Sequence, residues 1–141
     1  RTLVQARSRN AELALVAADG LLTLTAQDGE EKASWSCDPG LLKDGQTRHA
    51  VIVADGGPGI LTWTLDGVLC DGGDKHVRGW QRFRSASAAG SRLGSTLRAV
   101  SGSAFERDPT VRSLRVYSRA LRTSEAIASY TASKQARKED Q

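Results

Sequence analysis

Leu13-Ala14-Leu15-Val16-Ala17-Ala18-Asp19-Gly20-Leu21-Leu22-Thr23-Leu24-Thr25-Ala26 is the stretch on which the fold class turns. Side chains alternate here with a period of two, which matches a pleated strand and not the 3.6-residue turn of a helix. Leu13, Leu15 and Ala17 share one face of the first run. Leu22, Leu24 and Ala26 share one face of the second, with Thr23 and Thr25 between them. Asp19-Gly20 separates the runs, and an Asp-Gly pair tolerates the positive φ angles that a two-residue hairpin demands. The stretch predicts two antiparallel strands, 11–18 and 21–27.

The same grammar continues outward. Asp28-Gly29 is a second turn, and Ala33, Trp35 and Cys37 alternate with Lys32, Ser34 and Ser36 up to a stop at Asp38-Pro39-Gly40. Strands are predicted at 31–37, 48–54 and 60–66. The Asp55–Gly59 connection follows the second of these, and Asp66-Gly67 closes the third with a return through Val68–Cys70. Further strands are predicted at 95–100 and 111–117. Helical spacing replaces alternation only over Arg119–Ser133, with Leu121, Ile127 and Tyr130 near one face. Thr123 is a fair N-cap there and Glu125 suits the first turn, so a helix is expected over 123–132. Many short strands with closely spaced turns point to an all-β, two-sheet antiparallel sandwich with one short C-terminal helix. The sandwich is expected to occupy 1–132 and a polar tail 133–141.

Composition narrows the class. The chain has 141 residues, long enough for one domain with its own core, and 39% hydrophobic with 26% charged residues is ordinary globular usage. No apolar run reaches membrane-spanning length, so no membrane partner is expected. The chain starts at Arg1 and contains no Met, which reads as a processed chain, an excised domain or a fragment. Net charge is +4, and Arg78, Arg82, Arg84, Arg92 and Arg98 cluster in one stretch. They form either a basic patch or a solvated face. Nucleic acid is not the expected partner, because no aromatic stacking platform interleaves with the arginines. Cys37 and Cys70 have no zinc-type spacing. Each ends a strand, and they are read either as a disulfide between neighbouring strands or as two buried thiols.

Three stretches carry a family resemblance. Arg48-His49-Ala50-Val51-Ile52-Val53-Ala54-Asp55-Gly56-Gly57 resembles the His-led valine strand and Asp-Gly turn of laminin-G-like domains of the concanavalin A-like lectin superfamily. Thr64-Leu65-Asp66-Gly67-Val68-Leu69 resembles their next hairpin. Ser113-Leu114-Arg115-Val116-Tyr117-Ser118-Arg119-Ala120-Leu121 with Ser124-Glu125-Ala126-Ile127 resembles their closing strand and helix. The resemblance spans about Leu3 to Tyr130 and implies a jelly roll of two curved sheets. The family often places a strand or two before the one matched by Leu3–Arg7, which implies an N-terminal portion on another chain or removed. Functions implied are a carbohydrate-binding module of a secreted glycoside hydrolase, an adhesion or structural domain packed on a parent catalytic domain, or a small glycan-processing enzyme. An extracellular location goes with all three.

Fold does not choose between these, so the site must. Sugar binding needs an aromatic face for the pyranose ring and polar groups for its hydroxyls. Trp63 is in phase with Leu61 and Leu65, and Trp35 with Ala33 and Cys37, so both are expected in the core. Trp80 lies in the irregular stretch 71–92, as a ligand platform or as a plug. Asp71, Asp74, His76 and Arg82 are the polar ligand-binding candidates beside it, or simply a solvated loop, and an arginine there could clamp an acidic sugar. Asp66, Asp71 and Asp74 offer hard oxygen ligands for calcium, although they form no EF-hand, and no cofactor is otherwise expected. Catalytic residues are not assigned: the glutamates do not form the facing carboxylate set that glycoside hydrolysis needs, and no nucleophile elbow, zinc helix or phosphate loop occurs.

Overall fold

In the computed structural model the alternating stretches between Ala11 and Leu65 are strands, and the structure describes residues 1–9, 11–28, 31–55, 58–71, 81–82 and 104–139. β1 (Thr2–Ser8), β2 (Ala11–Ala18), β3 (Leu21–Asp28) and β4 (Glu31–Ser36) form a meander, and β9 (Phe105–Arg107) pairs with the free edge of β1. The order of this five-stranded sheet is β4-β3-β2-β1-β9. A second, four-stranded sheet holds β5 (Ala50–Asp55), β6 (Ile60–Leu65) and β7 (Val68–Leu69), with β8 (Gln81–Arg82) also pairing with β6. Every pairing in both sheets is antiparallel. One helix, α1 (Thr123–Glu139), closes the described chain.

Turn chemistry sets the register. Asp19 and Gly20 have φ of 51° and 75°, and Asp66 and Gly67 have φ of 51° and 79°. Both hairpins therefore carry positive φ at the two central residues, the twist that matches flanking strands. With Ala18 opposite Leu21, the rest of the ladder follows, and Val4, Leu15, Leu24 and Trp35 fall in one row across four strands. A one-residue slip would turn the whole row to the other face.

That row faces the second sheet. Leu22, Leu24, Ala26, Trp35 and Cys37 of the first sheet form one buried cluster with Leu61, Trp63, Leu65 and Cys70 of the second. Ile52 and Ala54 pack against it from β5, opposite Trp63 and Leu61. The two sheets thus share one core, an arrangement compatible with a β-sandwich. Trp35 and Trp63 lie inside it, as their phase predicts, with 6% and 2% of their surface exposed.

Three sequence expectations change. Val111–Tyr117 is not a strand, although its alternation is strand-like. β9 already occupies the β1 edge, and the chain then turns at Asp108, whose carbonyl accepts the Val111 N–H at 2.9 Å. Beyond the turn, the Arg107 guanidinium donates to the carbonyls of Val111 and Arg112, at 3.4 and 3.3 Å, so a side chain takes ladder acceptors. Leu114, Val116 and Tyr117 are left exposed. The helix does not stop at 132: residues 133–139 continue it instead of forming a tail, as Lys, Gln, Ala, Arg and Glu propagate helix well and Arg137 and Lys138 suit its C-terminal dipole. Its cap is Arg122 and not Thr123. The Arg122 carbonyl accepts the Ala126 N–H at 3.0 Å, while the Arg122 N–H donates to Glu125 at 2.7 Å. The strand expected at 95–100 lies outside the described residues.

Leu61 has no exposed surface, and its neighbours come from both sheets. Leu61→Ala should lower unfolding free energy by about 2–5 kcal/mol. In urea unfolding this appears as a lower midpoint at unchanged slope. A loss below about 1 kcal/mol would place Leu61 outside a tightly packed seam.

Candidate functional site

Residues 71–92 were singled out in the sequence, and the structure shows how the first part of that stretch is mounted. Cys70 N–H donates to the Trp63 carbonyl at 2.9 Å, which carries the β7 side of the hairpin one step past Leu69. Asp71 follows, exposed, and its N–H donates to Asp38 Oδ2 at 2.9 Å. The chain is described again at Gln81, which pairs with Leu61 in β8 and whose side-chain amide donates to the Ser36 carbonyl at 2.7 Å. Both ends of the connection 72–80 are therefore tied to the same few residues at the end of β4, and both ends also ladder onto β6. The connection leaves and re-enters at one corner where the two sheets meet.

Of the residues expected to bind ligand, Asp71 stands at the foot of this connection and Arg82 has its backbone in β8 opposite Ile60. Trp80, Asp74 and His76 lie outside the described residues, as does the Arg82 side chain. Asp38 and Gln81 were missed in the sequence. Asp38 reads there as a simple strand stop before Pro39-Gly40, and nothing local marks Gln81 as an anchor.

Asp66 belongs elsewhere. Its Oδ2 accepts from Arg48 at 2.6 Å and its Oδ1 from the His49 N–H at 2.9 Å. Although burial opposes ionisation, these hydrogen bonds and the Arg48 charge hold its carboxyl below the ordinary value. Asp66 is thus a turn residue that stitches the β6–β7 hairpin to the start of β5. Asp71 follows Cys70 along β6 toward Thr62, four positions from Asp66, or about 13 Å at 3.3 Å per residue. Calcium ligands sit within about 2.6 Å of the ion, so Asp66 and Asp71 are far apart for two ligands of one cation, while Asp74 lies outside the described residues. Among the described residues no group of three His, Cys, Asp or Glu side chains is placed to hold a metal ion.

The disulfide is also corrected. Cys37 and Cys70 are free, buried thiols, and they end strands of different sheets instead of neighbours in one. Cys37 Sγ accepts the Leu22 N–H at 3.2 Å and lies 3.4 Å from the Asp38 carbonyl, so its sulfur is engaged at the edge of the first sheet. Burial, with the Asp38 charge adding to it, pushes the Cys37 thiol up, and burial pushes Cys70 up to about 11.

Several other carboxylates serve structure. Glu125 is held near 2 by Arg119, which grips it at 2.9 and 2.8 Å, and by the Arg122 N–H. Asp108 is held near 2 by Thr110 and Arg1. A general acid needs its carboxyl raised, and Asp66, Asp108 and Glu125 are all held low. No helix among the described residues is long and apolar enough to cross a membrane.

No family model, curated protein or solved structure matches the chain.

Two buried, elevated thiols predict low reactivity. At about pH 8 the folded protein should react slowly with a thiol reagent, and both cysteines should react quickly once denatured. Fast labelling of the folded protein would contradict their burial. Fewer than two reactive thiols after denaturation would contradict their free state.

Proposed function

We propose that this chain is a non-catalytic carbohydrate-binding module of laminin-G-like, jelly-roll type, serving as an accessory domain of a secreted glycoside hydrolase. The observation that carries the reading is the double mooring of the 72–80 connection on Ser36 and Asp38. Binding loops work best when a rigid scaffold fixes both of their ends. The tryptophans point the same way. The chain has three, and two of them are spent in the core, so a stacking platform made of tryptophan falls to Trp80 within that connection. Asp71 and Arg82 at the two feet, with Asp74 and His76 between, supply the polar groups that sugar hydroxyls need.

The rival reading is a structural or adhesion domain that packs on a parent catalytic domain. One observation favours it: Val116 and Tyr117 are half exposed on an extended segment with no strand pairing among the described residues. Contiguous exposed apolar surface is a common mark of protein contact.

One titration separates the two. Trp80→Ala should weaken binding of a glycan held by the unaltered chain by about 1–3 kcal/mol, with unfolding unchanged. Unchanged affinity in a folded variant would remove Trp80 from the site. Loss of folding would make Trp80 a core plug and favour the packed-domain reading.

A further inference from the structure

Helix α1 rests on the second sheet through a small seat. Ala126 is its one buried residue, and Ile127 is 38% exposed. The rest of the seat is Tyr130. Its ring lies over Gly67 so closely that a Cβ added to that glycine would stand 2.8 Å from Tyr130 Cδ1. The same ring meets the His49 imidazole with centroids 5.7 Å apart and planes tilted by 47°. His49 cannot move aside freely, because its backbone exchanges two hydrogen bonds with Asp66. Its N–H donates to Asp66 Oδ1 at 2.9 Å, and its carbonyl accepts the Asp66 N–H at 2.8 Å.

The imidazole is placed where a second proton is costly. Its Nδ1 is buried without a hydrogen-bond partner among the described residues. An imidazolium donates from both nitrogens, so protonation would leave a charged donor buried and unpaired. The surrounding charges are mostly of the same sign. The positive charges of Arg115 on the extended segment and Arg137 on α1 act on His49, while Lys134 of α1 sits 5.5 Å from the Tyr130 ring centroid. Arg48 lies beside His49 in sequence. Among the described residues Asp66 is the one acid acting on His49, and both of its oxygens are already used by Arg48 and by the His49 N–H. Burial lowers the His49 value from 6.5; Asp66 opposes this, and Arg137 and Arg115 reinforce it.

We propose that His49 is an acid-sensitive latch whose protonation releases helix α1 from the β6–β7 hairpin. Neutral His49 completes the seat of Tyr130. Protonated His49 must bring its buried Nδ1 to a partner or to solvent and draw away from Arg115 and Arg137, and turning the imidazole breaks its contact with the Tyr130 ring. Because the docked value is depressed, docking is complete above about pH 6.5 and weakens as pH falls below it. The buried cluster between the sheets contains no residue of α1, and the one buried residue of the helix, Ala126, lies outside it.

Backbone amide hydrogen exchange over 123–139, corrected for intrinsic pH dependence, tests the latch in the full chain. Protection should fall between about pH 7.5 and about pH 5, by at most about tenfold per pH unit for a one-proton switch. His49→Phe keeps a ring under Tyr130 and takes no proton, so its protection should not change over that range. Equal protection of the unaltered chain at both pH values would overturn the proposal, as would a loss that His49→Phe leaves intact. Should the variant fail to fold, NMR titration of His49 in the unaltered chain decides: the latch requires a value below 6.5, and one at or above it overturns the idea.

Discussion

Two sheets become one domain where Leu61, Trp63 and Leu65 of β6 meet Leu22, Leu24 and Trp35 of β3 and β4. Neither sheet could stand without that meeting. A sheet with one apolar face must bury it against another layer, and among the described residues the second sheet has only two strands longer than two residues. β6 is the member most constrained, since it pairs with β5, β7 and β8 and is buried at four of its six positions. The 72–80 connection begins and ends on its ladder, and the turn that seats α1 closes its far end.

This geometry puts two kinds of chemistry at the two ends of one strand. At the Ile60–Leu61 end, Ser36 and Asp38 tie down both feet of the connection that holds Trp80. At the Asp66 end, the carboxylate, Arg48 and His49 form a polar knot under Tyr130. The acid there serves the turn, and Asp71 stands at the foot of the connection beyond Cys70. Asp66 and Asp71 stand apart along the strand, each with its own hydrogen-bond partners.

Much of this was legible in the sequence, for a physical reason. Period-two alternation reports which face of a strand is buried, so Trp35 and Trp63 could be placed in the core from their phase alone. Asp19-Gly20 and Asp66-Gly67 could be placed in hairpins because few other pairs accept their φ angles. Alternation does not report a partner, however. Val111–Tyr117 has the pattern of a strand, yet β9 holds the β1 edge, and Arg107 takes the carbonyls of Val111 and Arg112. Cysteines at strand ends likewise say nothing about which sheet each strand joins, and Cys37 and Cys70 end strands of different sheets. The helix outran its apolar spacing because residues 133–139 propagate helix without needing a buried face. Gln81 and Asp38 were invisible because their role is set by tertiary position and not by local pattern.

Binding, not chemistry, is the central claim, and the feature that supports it is a loop moored at both ends on the shared core. A glycan array probed with the intact chain tests it most directly. The account predicts retention of at least one class of polysaccharide by protein whose circular dichroism is dominated by strand. Folded protein that is retained by no glycan on a broad array would contradict it.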